Sequence, residues 1–193
     1  MSSLQVQLEA ILRATPSLMN VMRIARDLDL PDWLIVSGAI YQRVWNHKTG
    51  RDLDYGVRDY DLVYFDPDTS YEAEDVHIKR AAAAFPPPFD ALVEVRNQAR
   101  VHLWFADHFK TDEPYPPLAS TAECLTRFLA PGFAVGVRLE ADDSLTIEAP
   151  FGLDDLFAMR LAPNPRRDRA KGEGWDKAIA SAKARWPEVE VRA

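Results

Sequence analysis

Apolar residues recur at helical spacing from the start of the chain: Leu4, Leu8, Ile11 and Leu12, then Leu18, Val21, Met22, Ala25 and Leu28 behind Thr15-Pro16. A cap residue followed by proline at the first helical position is a helix start, so two amphipathic helices are expected, the second ending at Pro31. "WLIVSGA" then reads as a short apolar strand entering a glycine turn, followed by a helix from about Ile40 to Asn46. His47 to Arg58 is polar and is expected to be a loop. After it, "DYDLVYF" predicts a strand over Asp59–Phe65, because Leu62 to Phe65 continue without a polar break, as in a strand covered on both faces.

Thr69 and Glu72 form a capping-box pattern for a helix through "EAEDVHIKRAAAAF", which stops at Pro86, Pro87 and Pro88. In "ALVEVRNQARVHLWF" a carboxylate, Glu94, interrupts a strand pattern made by Leu92, Val93 and Val95. Pro114, Pro116 and Pro117 mark a loop or edge segment, and a short helix is expected at Thr121–Phe128. Two alternating runs meet at Asp142-Asp143, a hairpin pattern. "FGLDDLFAM" reads as a short helix, with Asp154 and Asp155 suited to its positive end. "APNPRRDR" reads as a linker and Trp175–Trp186 as a terminal helix. These elements predict an α+β fold with a mixed sheet, divided into a core over 1–110 and a C-terminal lobe over 111–193, or one continuous domain.

With 193 residues, 47% of them apolar, the chain has enough material for a packed core. A formal charge of -7 argues against an extended nucleic-acid surface, which needs a basic stripe. The single cysteine, Cys124, excludes an internal disulfide and a thiol zinc cluster, which fits a reducing cytoplasm. The opening "MSSLQVQLEAILRA" carries Glu9 and has neither a basic start nor a long apolar run, so neither a signal peptide nor a membrane span is expected.

Successive strand side chains alternate, so Asp59 and Asp61 share a face and repel each other where the chain enters the core. An unpaired buried charge is too costly to keep, so a cation or a cleft is required as partner. Three carboxylates on two adjacent strands, Asp59, Asp61 and Glu94, can hold two Mg²⁺ ions about 3.5–4 Å apart, with Mn²⁺ as the alternative ion. Ser37-Gly38-Ala39 leads into a helix whose first N–H groups suit phosphate oxygens. Arg43 on that helix and Arg96 on the Glu94 strand are candidate nucleotide contacts, as is Arg100 if the strand continues. The competing reading makes Asp59 a strand-start residue paired with Arg58 or Arg96.

Some neighbouring patterns carry less. Asp52-x-Asp54 has the same spacing but leads into "YGVR", a loop. "DPDTSYEAED" lacks a calcium loop's turn glycine, having Tyr71 there, and its closing glutamate, having His77. His102 reads as structural. Trp45, Trp104 and Phe105 offer stacking surfaces, although aromatic residues in apolar runs are more often core.

At Val36, Ser37, Gly38, Ala39, Asp59, Asp61 and Glu94 the chain resembles the polymerase-beta-like nucleotidyltransferase superfamily. That pattern is a hydrophobic residue, glycine, a small residue, then a D-x-D strand and a third acid on a later strand. The blocks "AIYQRVWNH", "DYDLVYFDPDTSYEAED", "VEVRNQARVHLW", "AVGVRL" and "APFGLDDLF" are similar to those of a bacterial family of nucleotidyltransferases. The resemblance implies a polymerase-beta-like core with N-terminal helices and a small C-terminal hairpin and helical lobe. It also implies a Mg²⁺-dependent enzyme that transfers a nucleoside monophosphate from NTP to an acceptor hydroxyl and releases pyrophosphate. Asp59, Asp61 and Glu94 would be its metal-binding and catalytic acids. Ser37, Gly38, Ala39, Arg43 and Arg96 would contact nucleotide. Many members carry serine after the glycine where this chain has Ala39, and the span from Gly38 to Asp59 is longer than in compact members. The net charge favours a small molecule or protein as acceptor. The alternatives are a nucleotide-binding or interaction module of the same fold without turnover and, last, a two-metal phosphodiesterase.

Overall fold

The computed structural model describes residues 2–167 and 173–192. Asp168 and Arg169 of the expected linker lie outside them.

Helix α1 (Ser3–Arg13) opens with a capping box: the Ser2 hydroxyl accepts the Gln5 N–H at 3.2 Å, and the Gln5 side chain accepts the Ser2 N–H at 2.7 Å. Helix α2 (Pro16–Asp27) has the expected proline in its first turn. The apolar stripes of both are buried at Leu8, Ile11, Leu12, Leu18, Val21, Met22 and Ala25. Strand β1 (Leu34–Val36) feeds helix α3 (Gly38–Lys48), in which residues 38–46 are all buried. Strand β2 (Tyr60–Tyr64) is shorter by one residue at each end than expected. Helix α4 (Tyr71–Ala84) is capped one residue later than expected, since Ser70, and not Thr69, accepts the Ala73 N–H at 3.3 Å.

Strand β3 (Val93–Asn97) stops at Asn97, whose fully buried carboxamide accepts from Ala99 and Asp66 N–H and donates to the Asp66 carbonyl. That side chain takes over the backbone groups on which a longer strand would depend, and the chain turns into helix α5 (Val101–Phe109). Helix α6 (Thr121–Cys124) and a 3₁₀ turn at Leu125–Arg127 follow. Strands β4 (Gly136–Leu139) and β5 (Leu145–Glu148) form the expected hairpin. Helix α7 (Asp154–Phe157) carries Asp154 and Asp155 in its first turn. A small parallel pair of strand β6 (Arg160–Leu161) and strand β7 (Glu190–Val191) flanks helix α8 (Glu173–Arg185) in sequence.

The main sheet is mixed, in the order β3-β2-β1-β4-β5, with only β2 and β3 parallel. It crosses residue 110, because β4 and β5 from the C-terminal half extend the sheet from β1. The strand bearing Glu94 is an edge strand. One face of the sheet, with Ile35, Tyr60, Leu62, Tyr64, Val95 and Val137, packs into the main core with α1, α2 and α3. The opposite face, with Leu34, Val36 and Val63, meets Leu118, Cys124 and Leu125. No described helix is long and apolar enough to cross a membrane.

Candidate active site

Register places the acids. Asp61 pairs with Glu94 across the parallel ladder and with Val36 across the antiparallel one, so one row crosses the sheet at the end of β1, where the chain enters the glycine turn. Paired residues point to the same face, and Asp61 alternates with Val63 on the face lined by Cys124 and Leu125. Asp59, one step before the strand, is exposed, and so is Glu94. Asp61 is part-buried. Burial, then the charges of Asp59 and Glu94, push its carboxyl up to about 6, against the opposing pull of Arg96.

Among the described residues neither Asp59 nor Asp61 has a hydrogen-bond or ion-pair partner, and Arg96 reaches Glu94 instead, at 3.5 Å. The three acids are electrostatically coupled, yet no described group of three or more His, Cys, Asp or Glu is drawn close enough to form a ready metal cluster. An acid raised by burial and by two like-charged neighbours, and left without a donor, is a suitable ligand for a cation, which reverses that repulsion. Cys124 forms part of the wall behind it: burial, with added repulsion from Asp61 and Asp32, pushes its thiol up to about 12.

The glycine turn is built around Ser37, at φ 56 and ψ -122, a backbone conformation that a non-glycine residue rarely adopts. It is held there by its N–H on the Val135 carbonyl at 3.1 Å and by its own carbonyl, which accepts from Ile40 at 2.9 Å and Tyr41 at 3.0 Å. The N–H groups of Gly38 and Ala39 then stand in the first turn of α3, where no carbonyl of the helix itself can accept from them. Gln42 lies over this turn: a methyl group at Gly38 would come within 2.9 Å of its amide nitrogen.

Arg185, from α8, had no signal in the local pattern yet reaches this turn. Its Nη1 donates to Gln42 Oε1 at 3.2 Å and to the Gly56 carbonyl at 3.1 Å, and its guanidinium lies 4.5 Å from the centre of the Trp186 ring. No described carboxylate neutralises it. Arg185 and Asp59 both act on the buried Tyr41 phenol, which burial raises above its ordinary value, so the arginine and the acid share one neighbourhood.

Arg43, expected at nucleotide, is instead fully buried. Its guanidinium donates to the Ala39 carbonyl at 2.5 Å, Asp54 at 2.8 Å and the Tyr60 hydroxyl at 2.9 Å, because α3 is enclosed on all sides and the long side chain turns inward. Arg100 is likewise committed, to Glu74 at 2.8 Å and the Thr69 carbonyl at 2.7 Å, since the strand that was to carry it outward ends at Asn97. Trp45 is core, its indole N–H on the Leu156 carbonyl at 3.0 Å. Trp104 and Phe105 are half-buried on α5, as is His102, whose Nδ1 has no partner.

A family model described as Nucleotidyltransferase matches residues 23–191. The chain belongs to this family. A solved structure titled "The NMR structure of the protein reveals a CCA-adding enzyme head domain" is similar to 96% of this chain over 93% of its own, at 24% identity and a TM-score of 0.76. At that identity the likeness shows the fold, a polymerase-beta-like α+β fold with a mixed sheet. No curated protein matches. The position after the turn glycine is Ala39, only 1% exposed, so the polar groups at this turn are the backbone N–H groups, Ser37, Gln42 and Arg185.

Proposed function

We propose that the protein is a Mg²⁺-dependent nucleotidyltransferase that moves a nucleoside monophosphate from NTP to an acceptor hydroxyl. The observation that carries this reading is Asp61: a part-buried carboxyl, in register with Glu94, raised by burial and then by Asp59 and Glu94, and without a hydrogen-bonding or ion-paired partner among the described residues. A purely structural aspartate at a strand entrance is expected to have found an arginine or a backbone N–H.

Asp59, Asp61 and Glu94 would hold Mg²⁺, with two ions expected, and the bound ion would neutralise the triphosphate and make the acceptor hydroxyl easier to deprotonate. The Gly38 and Ala39 N–H groups, with the dipole of α3, would face phosphate oxygens. Arg185, fixed by neutral acceptors and keeping its charge, would add a cation on the same side of the turn. The acceptor oxygen attacks the α-phosphorus, the bond to the bridging oxygen of pyrophosphate breaks, and Glu94 takes the acceptor proton. Arg96, beside Glu94, would orient that carboxylate until substrate arrives.

With a charge of -7 the chain favours a small molecule or protein acceptor over an extended nucleic acid, and its one buried thiol suits a reducing cytoplasm. The second reading, a binding module without turnover, is favoured by Ala39 at the turn and by the pairing of Glu94 with Arg96. Calorimetric titration with Mg-ATP and Mg-CTP, followed by pyrophosphate release on a metabolite and protein pool, separates the two. Release that disappears in Asp61→Asn supports transfer. Binding without release for every acceptor favours the module.

A further inference from the structure

A cavity of about 210 Å³ opens away from the acid row, between α5, the proline-rich segment after it and the chain beyond β6. Its apolar wall includes Phe105 and Tyr115, with ring centroids 4.4 Å apart, and its polar wall is Glu113, Arg127, Arg166 and Arg167. None of Asp59, Asp61, Glu94 or Gly38 lines it.

The charges in this cavity do not balance. Arg167 grips both oxygens of Glu113, with Nε at 2.8 Å from Oε1 and Nη2 on Oε2, and also donates to the Arg127 carbonyl at 3.1 Å, so this pair is self-neutralising. Arg127 and Arg166 have no carboxylate partner among the described residues. Arg127 Nε is also buried without an acceptor, which is costly for a charged donor and leaves this guanidinium short of protein partners. The Arg166 backbone N–H donates to Asn164 Oδ1 at 2.8 Å, and its guanidinium lies over the Phe151 ring at 5.2 Å, with no described acid paired to it.

Two arginines that line one small cavity of a chain with net charge -7, neither with a carboxylate partner among the described residues, match a ligand carrying close to two negative charges on a compact group of oxygens. A phosphomonoester has that charge near neutral pH. A monocarboxylate leaves one arginine unsatisfied. The Phe105 and Tyr115 wall gives the rest of the ligand an apolar, ring-lined surface to cover. We propose that this cavity binds a small phosphomonoester bearing an aromatic or apolar group, at a site distinct from the metal and triphosphate site.

Phenyl phosphate, inorganic phosphate and benzoate serve as probes, titrated calorimetrically in EDTA so that the outcome is independent of metal and of turnover. Phenyl phosphate is expected to bind one per chain and more tightly than either of the others. Arg166→Gln, at an exposed residue and so expected to leave the thermal melt unchanged, is expected to weaken it roughly tenfold, and Arg127→Gln at least as much. Should Arg127→Gln fail to fold, Arg166→Gln decides alone. Arg96→Gln is expected to leave the affinity unchanged. No saturable binding to the wild type, equal binding by Arg166→Gln, or a loss in Arg96→Gln, which would put the anion at the acid row, overturns the proposal.

Discussion

Asp61 and Glu94 are direct partners across the parallel β2–β3 ladder, and among the described residues the counter-ion beside them is Arg96, which pairs with Glu94 at 3.5 Å. Both point to one face, and only Asp61 is partly removed from water. The two acids therefore have different costs: Glu94 is a solvated, paired carboxylate and Asp61 a desolvated, repelled one.

Glu94→Gln is accordingly expected to change stability by less than about 0.5 kcal/mol, the usual worth of an exposed ion pair. It removes one of the charges that raise Asp61 and releases Arg96, so the Asp61 carboxyl titrates below its wild-type value of about 6. Carboxyl chemical shifts followed by NMR against pH check the titration, and urea unfolding checks the stability.

Arg43→Gln is expected to behave as a core lesion. The guanidinium is 0% exposed and serves Ala39, Asp54 and Tyr60 together, so its removal orphans acceptors and leaves a gap under α3. A loss of about 2–4 kcal/mol is expected. Mg-NTP affinity, measured where the variant is still folded, should stay within about threefold of wild type.

These contrasts show what the sequence could convey. Helix and strand positions were legible from apolar periodicity, and the shared face of Asp59 and Asp61 follows from alternation alone. The partners of the arginines were not. Arg43 sits on a helix whose first nine residues are all buried, so no polar stripe marked which way it turns. Arg100 was tied to a strand that the Asn97 side chain ends, a local competition between side chain and ladder that periodicity does not register. Arg185 reaches Gly56 from 129 residues away, and only the tertiary fold brings them together.

Gly38→Ala tests the turn. The backbone there tolerates a side chain, and the added methyl meets only the far end of Gln42, at 2.9 Å, so the melt should shift by less than about 1 kcal/mol equivalent. Displaced Gln42 gives up its bond to Arg185, and the methyl narrows the approach to the first N–H groups. Mg-NTP affinity is expected to fall about tenfold in Gly38→Ala and similarly in Arg185→Gln, read by calorimetry.

The pH dependence has a defined sign. A carboxyl at about 6 in the folded protein and 3.8 unfolded holds its proton more tightly when folded, so it favours the folded state most at low pH. As pH rises from about 4 through about 6 that advantage is lost, and above it the ionised Asp61 costs up to about 3 kcal/mol. Acids that are lowered in the folded protein, for example Asp68 and Glu140, act in the opposite sense and lose their contribution as pH falls. The informative quantity is therefore the difference in unfolding free energy between Asp61→Asn and wild type in EDTA. It should be near its smallest at pH 4 and increase in the variant's favour to pH 7.

Metal supplies the last test, because it reverses the sign of that difference. If Asp59, Asp61 and Glu94 are kept close for Mg²⁺, binding to the folded state raises wild-type stability by mass action, about 2.7 kcal/mol at a concentration one hundred times the dissociation constant. Asp61→Asn keeps the shape and loses one of the charges, so it should be the more stable protein in EDTA and gain nothing from excess Mg²⁺. An ion-pair origin for the acid predicts the opposite in EDTA, since a partner cation would be stranded and stability would fall. No such partner lies within ion-pair distance of Asp61 among the described residues, and the nearest candidate, Arg96, is turned to Glu94. Thermal melts of both proteins, each with EDTA and with excess Mg²⁺ at pH 7.5, give four values. A variant less stable than wild type in EDTA and equally responsive to Mg²⁺ would make the acid pair a feature of architecture and remove it from the proposed chemistry.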